Sequence, residues 1–319
     1  MLKTRVAAAM ISIGVMALGA GPVCGQSYPT KPIRVLSAEV GGGADFVARL
    51  IAQRISGPLG RQVVVENRPS RLIGEIASKA TPDGYTLLLA SSTFLFAPLF
   101  GETPYDPVKD FSPISMLAKA PNIVVVHPSV PVTSIKELIA LAKAKPGALN
   151  YGSGGTGSSL HLAAELFKQM AGVNITRIAY KGAGPAMNDL IGGQVQIVFA
   201  TAGTVSSHVK SGRLRALAVT SLKPSALAPG LPTVAASGVP GYEIEAIYAL
   251  EAPTKTPAAI IKQLNQVIVM ALNDADLKEK FLNAGIEVAS SSPGELAAKI
   301  KSEIAKITKL IKDQDIRVN

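Results

Sequence analysis

A chain of 319 residues that is 48% hydrophobic yet carries one cysteine and three histidines has apolar material for more than one core and very little for disulfide, thiolate or imidazole–metal chemistry. Its formal net charge of +10 is spread thinly. Lys136, Lys143, Lys145, Arg213 and Arg215 stand apart with no aromatic run between them, which excludes a nucleic-acid stripe and leaves a basic surface that attracts small anions.

The amino end reads as an address. Lys3 and Arg5 precede an apolar run, 6–20, that stops at Gly21-Pro22. A membrane span needs roughly 20 apolar residues, so this shorter run predicts a secretory signal peptide over 1–25, cleaved before Gln26. Gly21-Pro22-Val23 is a poor approach to a lipidated cysteine, so anchoring at Cys24 is not expected, and the exported chain then holds no cysteine.

From Ile33 onward, short β-rich runs alternate with helical stripes, the pattern of an α/β fold with mostly parallel sheets flanked by helices. Strands are predicted at 33–37, 63–66 and 86–90, with helices at 44–55 and 72–79. A second series follows at 123–127, 149–151, 176–179, 197–200 and 215–219. Beyond Gly241 come an extended segment, 242–250, and helices at 257–272, 275–282 and 293–312.

Two units share one design: "IRVLSAEVGGGADFVARLIAQRI" and "LNYGSGGTGSSLHLAAELFKQM" each run strand, glycine-rich turn, helix. Ala44, Val47, Ala48, Ile51 and Ile55 form the core stripe of the first helix; Leu160, Ala163, Ala164, Phe167 and Met170 form that of the second. Each loop therefore sits at a helix amino end, where unpaired backbone N–H groups and the helix dipole bind anions. Asp45, Ser158 and Ser159 are also good N-caps, so they can serve their own helices. Two anion cradles suit a carboxylate-bearing ligand held between two domains.

Gly152, Gly154 and Gly157 fit G-x-G-x-x-G, but a dinucleotide site needs an acidic residue on the next strand, and 176–180 has none. Gly157 is followed by Ser158, not Lys, so a phosphate loop fails as well. No paired histidines suggest a metal, no G-x-S-x-G elbow suggests a serine hydrolase, and no cofactor is expected. His161, three residues after Ser158, leaves an exported hydrolase using Ser158 or Ser159 as the rival reading. Glu243 and Glu245, on one face of an extended segment, suit a solvated or hinge role better than acid–base work.

The ordered segments "YPTKPIRVLSAEVGGGADFVARLIA", "VVVENRP", "TPDGYTLLLASS", "PYDPVKDFSPISML", "HPSVPVTSIKELIALAKAKPGALNYGSGGTGSSLHLAAELF", "YKGAGPAMNDLIGGQVQIVFA", "GRLRALAVTS" and "LPTVAASGVPGYE" closely resemble the Bug-type extracytoplasmic solute receptors of tripartite tricarboxylate transporters. The resemblance implies a non-enzymatic, monomeric periplasmic receptor. It would have two α/β lobes in a Venus-flytrap arrangement, joined by two crossing strands, with lobe 1 at 26–124 plus 250–319 and lobe 2 at 125–249. It implies a small organic carboxylate as cargo and the transporter's membrane subunits as partners, or alternatively a sensor. By position it assigns the ligand site to Gly41, Gly42, Gly43, Asp45, Ser91 and Ser92 in the first lobe, and to Ser153, Gly155, Thr156, Gly157, Ser158 and His161 in the second.

Departures from the family pattern bear on the cargo. Glu39-Val40 stands where proline is usual, Arg71 lies in a shortened loop, and Gln196 and Ala200-Thr201 replace acidic or amide groups. Tyr248 stands near the position of a common tryptophan. Thr201 and Tyr248 join the candidate site, and the far end of the pocket is expected to be less polar than usual, suiting a less heavily charged or aromatic acid.

Overall fold

The computed structural model describes residues 28–314 and 316, apart from 39, 42, 155 and 181 and the side chain of Arg71. The leader with Cys24, and Glu39, Gly42 and Gly155, lie outside the described residues, as does the Arg71 side chain.

The first half opens with β1 (Ile33–Ser37), β2 (Val63–Asn67) and β3 (Thr86–Ser91), which pair in parallel around β1. Their crossovers are α1 (Gly43–Leu59) and α2 (Ser70–Ser78). The stripe read from the sequence is the buried face of α1: Val47, Ala48, Ile51 and Ile55 pack with Ile33, Val35, Leu87 and Leu89. Each of the Val, Ile and Leu side chains contributes about 1.5–3 kcal/mol when fully buried. After β3, a short helix α3 (Ser92–Phe96) and a 3₁₀ turn (Ala97–Leu99) bring Phe94 onto the opposite face of the sheet, stacked on Tyr105.

The next strand, β4 (Phe111–Val126), begins well before the predicted 123–127. Pro113 and Pro121 hid it, because proline cannot donate to a ladder and reads as a strand breaker. The fold absorbs Pro113 at a register shift, and Pro121 is where β4 changes partners. Up to Pro121, β4 runs antiparallel to β9 (Glu245–Pro253); from Asn122 it runs antiparallel to β7 (Ile197–Thr201), and from Ile123 also to β8 (Arg215–Val219). β5 (Asn150–Ser153) pairs in parallel with β6 (Thr176–Ala179) and β7. A two-residue strand, β10 (Glu287–Val288), completes the ten described strands on the edge of β4. The outer strands are parallel as expected, and every antiparallel pair involves β4 or β9. These two long strands carry the chain between the halves: Ile244, just before β9, still bonds Thr220 of the second half (3.0 Å).

Helices α4 (Ile135–Ala144), α5 (Ser159–Ala171), α6 (Ala183–Ile191) and α7 (Ala202–Lys210) flank the second half. The chain then returns with α8 (Ala258–Leu272), α9 (Ala275–Asn283) and α10 (Pro293–Asp313). A capping box between Ser292 and Glu295 starts α10, giving its first backbone N–H groups partners. α10 reaches both halves. Its Leu296, Ile300, Ile307 and Leu310 share one core with Phe94 and Phe96 from α3 and with Leu162, Leu166 and Phe167 from α5, and the Gln169 amide donates to Asp313 Oδ2 (2.6 Å).

Around the crossing, Lys119 pairs with Glu245 (3.2 Å) and Glu287 (3.7 Å), and Lys299 pairs with Glu243 (3.2 Å). The hinge reading of the two glutamates fits this placement. Burial raises the Glu245 pKa, with Lys119 opposing. No helix among the described residues is long and apolar enough to cross a membrane.

Candidate functional site

The loop between β1 and α1 is braced from inside. Gly41 adopts a left-handed φ of 83°, and its N–H donates to Asp45 Oδ2 (3.0 Å). Asp45 is 4% exposed; its other oxygen accepts from Asn67 Nδ2 (2.9 Å) and Arg49 Nε (2.8 Å). Burial alone would raise its pKa, but these hydrogen bonds from Gly41, Asn67 and Arg49 bring it below the usual value. The carboxylate thus serves the loop, but not as the N-cap expected of it: Asp45 lies inside the first turn of α1 and bonds back to Gly41 and across to Asn67.

Gly43, the first residue of α1, faces Tyr248 on β9. A β-carbon there would overlap the tyrosine hydroxyl and lie 3.1 Å from Cζ. Tyr248 is paired in register with Ser91 at the end of β3. The Ser91 hydroxyl caps nothing in α3, and the Tyr248 hydroxyl has no hydrogen-bond partner among the described residues. Ser92 accepts the Ile247 N–H (2.9 Å), locking α3 to β9. Gly43, Ser91, Ser92 and Tyr248 therefore form one group.

The second group surrounds the loop between β5 and α5. Ser158 caps α5, accepting from His161 N (3.4 Å). Gly157, at φ 81°, donates its N–H to His161 Nδ1 (3.1 Å). His161 is 2% exposed. Burial, reinforced by the Arg177 charge, lowers its pKa to about 4. A neutral imidazole that already accepts from the backbone is placed to hold the loop. Among the described residues it makes no side-chain bond to Ser158 or Ser159, so the hydrolase reading loses its base.

Sequence reasoning missed Arg177. Its guanidinium spans the loop: Nε donates to Ser153 Oγ (2.9 Å), Nη1 to Thr156 Oγ1 (3.2 Å) and Nη2 to the Gly154 carbonyl (3.1 Å). Ser153 is fully buried and also donates to the Gly154 carbonyl (3.1 Å), so its hydroxyl is committed to the loop. The region 176–180 lacks the acid a ribose would need and supplies a cation in its place. The available signal was its strand position, since β5–β6 pairing sets Arg177 beside Tyr151, two residues before Ser153.

Phe100 was also missed: its ring lies 2.9 Å from where a β-carbon on Gly157 would stand. A cavity of about 280 Å³ opens there, lined by Thr93, Phe96, Phe100, Glu102, Thr156 and Gly157. Because Thr93 follows Ser92, α3 links the two groups. A larger groove, about 680 Å³, lined by Pro98, Tyr105, Val108 and Ile304 among others, includes none of the expected residues.

Thr201 stands apart, opposite Asn122 in the β4–β7 register with its Oγ1 3.0 Å from Thr204 Oγ1. The reading of Gln196 as part of the pocket's far end fails. Its amide accepts from Asn150 N (2.9 Å) and donates to the Gly193 carbonyl (3.4 Å), at the start of β5 and the opposite end of that strand from the glycine loop.

Two helical α/β halves joined by crossing strands, with glycine loops at helix amino ends, define the two-lobed solute-binding receptors. A family model described as "Tripartite tricarboxylate transporter family receptor" matches residues 47–316, and the chain belongs to that family, whose members are periplasmic receptors and not enzymes. Protein BugT of Bordetella pertussis is 36% identical over 313 residues, 96% of each chain. A solved R. palustris protein with adipate is 34% identical, with a TM-score of 0.76, and covers 91% of this chain and 99% of its own. MatC from Rhodopseudomonas palustris with bound malate is 26% identical, with a TM-score of 0.72, and covers 89% of this chain and 100% of its own.

Proposed function

We propose that this chain is exported, loses residues 1–25, and acts in the periplasm as a receptor that encloses a small organic carboxylate and delivers it to the membrane subunits of a tripartite transporter. The lobes divide at 124/125 and 249/250, the first boundary just after β4 changes partners and the second within β9. The ligand meets the helix amino ends at Gly43 and Ser158 and the hydroxyls of Ser91, Ser92 and Tyr248, while Asp45 and His161 hold the Gly41 and Gly157 N–H groups. The observation that carries this reading is the cavity of about 280 Å³ shared by the α3 segment and the Thr156–Gly157 loop. It is somewhat below the ~300–1,000 Å³ of drug-sized sites, which suits a compact acid. Relatives held with adipate and malate support the carboxylate class.

The test is a thermal-shift screen of the cleaved protein with adipate, malate, benzoate and related acids, with native mass spectrometry of the purified protein. A ligand that binds only the folded state raises its melting temperature. Absence of any shift and of any co-purifying acid would refute the carboxylate assignment. Accumulation in the cytoplasm with an intact leader would refute export.

A further inference from the structure

We infer that Arg177 is the positioning residue that shapes and charges the loop over 153–158 for a ligand carboxylate; this rests on the receptor reading above. One guanidinium reaches three points of a short loop, all of them neutral acceptors: a serine hydroxyl, a threonine hydroxyl and a carbonyl. Arginine's planar fork is suited to fixing several acceptors at once. Neutral acceptors hold the side chain without cancelling its charge.

Among the described residues no carboxylate pairs with the guanidinium; Glu102, which lines the neighbouring cavity, is exposed to solvent. Glu165, the acid of the adjoining helix face, accepts from Tyr151 (2.5 Å) and Lys168 (2.8 Å). Its field adds to the partial positive charge at the start of α5. The first loop differs, because its buried charge, Asp45, is matched by Arg49 at 2.8 Å. An anion approaching the paired loops therefore meets its uncompensated cation beneath the second.

The field is readable without a ligand through His161, which packs against the same loop and also faces Glu165 and Lys168. In an NMR titration of the three histidines, wild-type His161 should titrate well below the usual value, at about 4. In Arg177→Gln this midpoint should rise while staying below the usual value, since burial remains. In Arg177→Lys, which keeps the charge, it should stay near that of the wild type. An unmoved midpoint in a folded Arg177→Gln protein overturns the inference. If that variant does not fold, a changed midpoint in folded Arg177→Lys overturns it.

Calorimetry with adipate and its neutral diamide is the second arm. Losing the positive charge behind the loop should cost adipate roughly tenfold in affinity in Arg177→Gln, less in Arg177→Lys, and should leave any diamide binding unchanged. Equal losses for acid and diamide would make Arg177 a merely structural brace. Failure of the wild type to bind adipate, malate or benzoate counts against the carboxylate reading, whereas the histidine titration still decides whether Arg177 charges the loop.

Discussion

The hydroxyl of Tyr248 occupies the space that a β-carbon on Gly43 would need. Gly43 opens α1 without a left-handed φ, so the demand for glycine comes from the tyrosine and not from the backbone. Gly43→Ala should lower the melting temperature by a few degrees and weaken binding of a probe acid about tenfold, as expected for local overpacking of 1–3 kcal/mol. Adding Tyr248→Leu should restore most of the melting temperature. Scanning calorimetry decides: no recovery in the double variant would mean that another contact enforces glycine.

Gly157 presents the opposite case. Its φ of 81° is unfavourable for any residue with a β-carbon, and the Phe100 ring closes on it as well. Gly157→Ala should therefore destabilise the protein by about 1–2 kcal/mol from the backbone alone. Phe100→Ala in the same chain should recover only part of that loss in a urea titration. Full recovery would assign the whole cost to the ring.

Glu251 lies near the end of β9, fully buried, with neither carboxylate oxygen hydrogen-bonded among the described residues. Burial pushes its pKa from 4.5 up to about 8. Between these values the folded chain holds a proton that the unfolded chain has released, so stability falls as pH rises from about 4.5 to 8. At about 1.4 kcal/mol per unit, the effect is a few kcal/mol. Glu251→Gln should flatten the decline of melting temperature between pH 5 and 9, and an unchanged slope would show that Glu251 finds a partner for its charge.

His161 produces the opposite slope. Its pKa falls from 6.5 to about 4 in the folded chain, so the unfolded chain binds the extra proton and stability is lost as pH falls from 6.5 toward 4. In His161→Leu the acid-side decline should shrink, while ligand affinity also drops because Gly157 loses its acceptor. A variant with the same acid profile as the wild type would place the sensitivity elsewhere.

The paired strand–loop–helix units were legible because Val47, Ile51 and Ile55, and likewise Leu160, Ala163 and Phe167, repeat at helical spacing after a glycine run. Such periodicity survives in the sequence whatever surrounds it. The early part of β4 was hidden because Pro113 and Pro121 deny it two donors locally, while its long antiparallel partner β9 lies far along the chain. Asp45, Ser153 and Ser158 were named as ligand contacts, but sequence spacing does not reveal whether a side chain points at a ligand or back at its own backbone, and in the structure all three bond to their own loops. Arg177 and Phe100 escaped for a similar reason. Each acts through a neighbour that only pairing between distant strands or packing between halves brings close.

The placement of α10 against both halves has a mechanical consequence. Two side-by-side strands alone would let the lobes twist, slide and rock; a third support displaced from them removes most of those degrees of freedom. In the proposed receptor, opening would then be a narrow rocking motion that keeps Leu296–Ile300 or Ile307–Leu310 seated, and the unliganded form would explore few orientations. Little rotational entropy is left to surrender on capture, so a larger share of each contact made with the cargo is expressed as affinity.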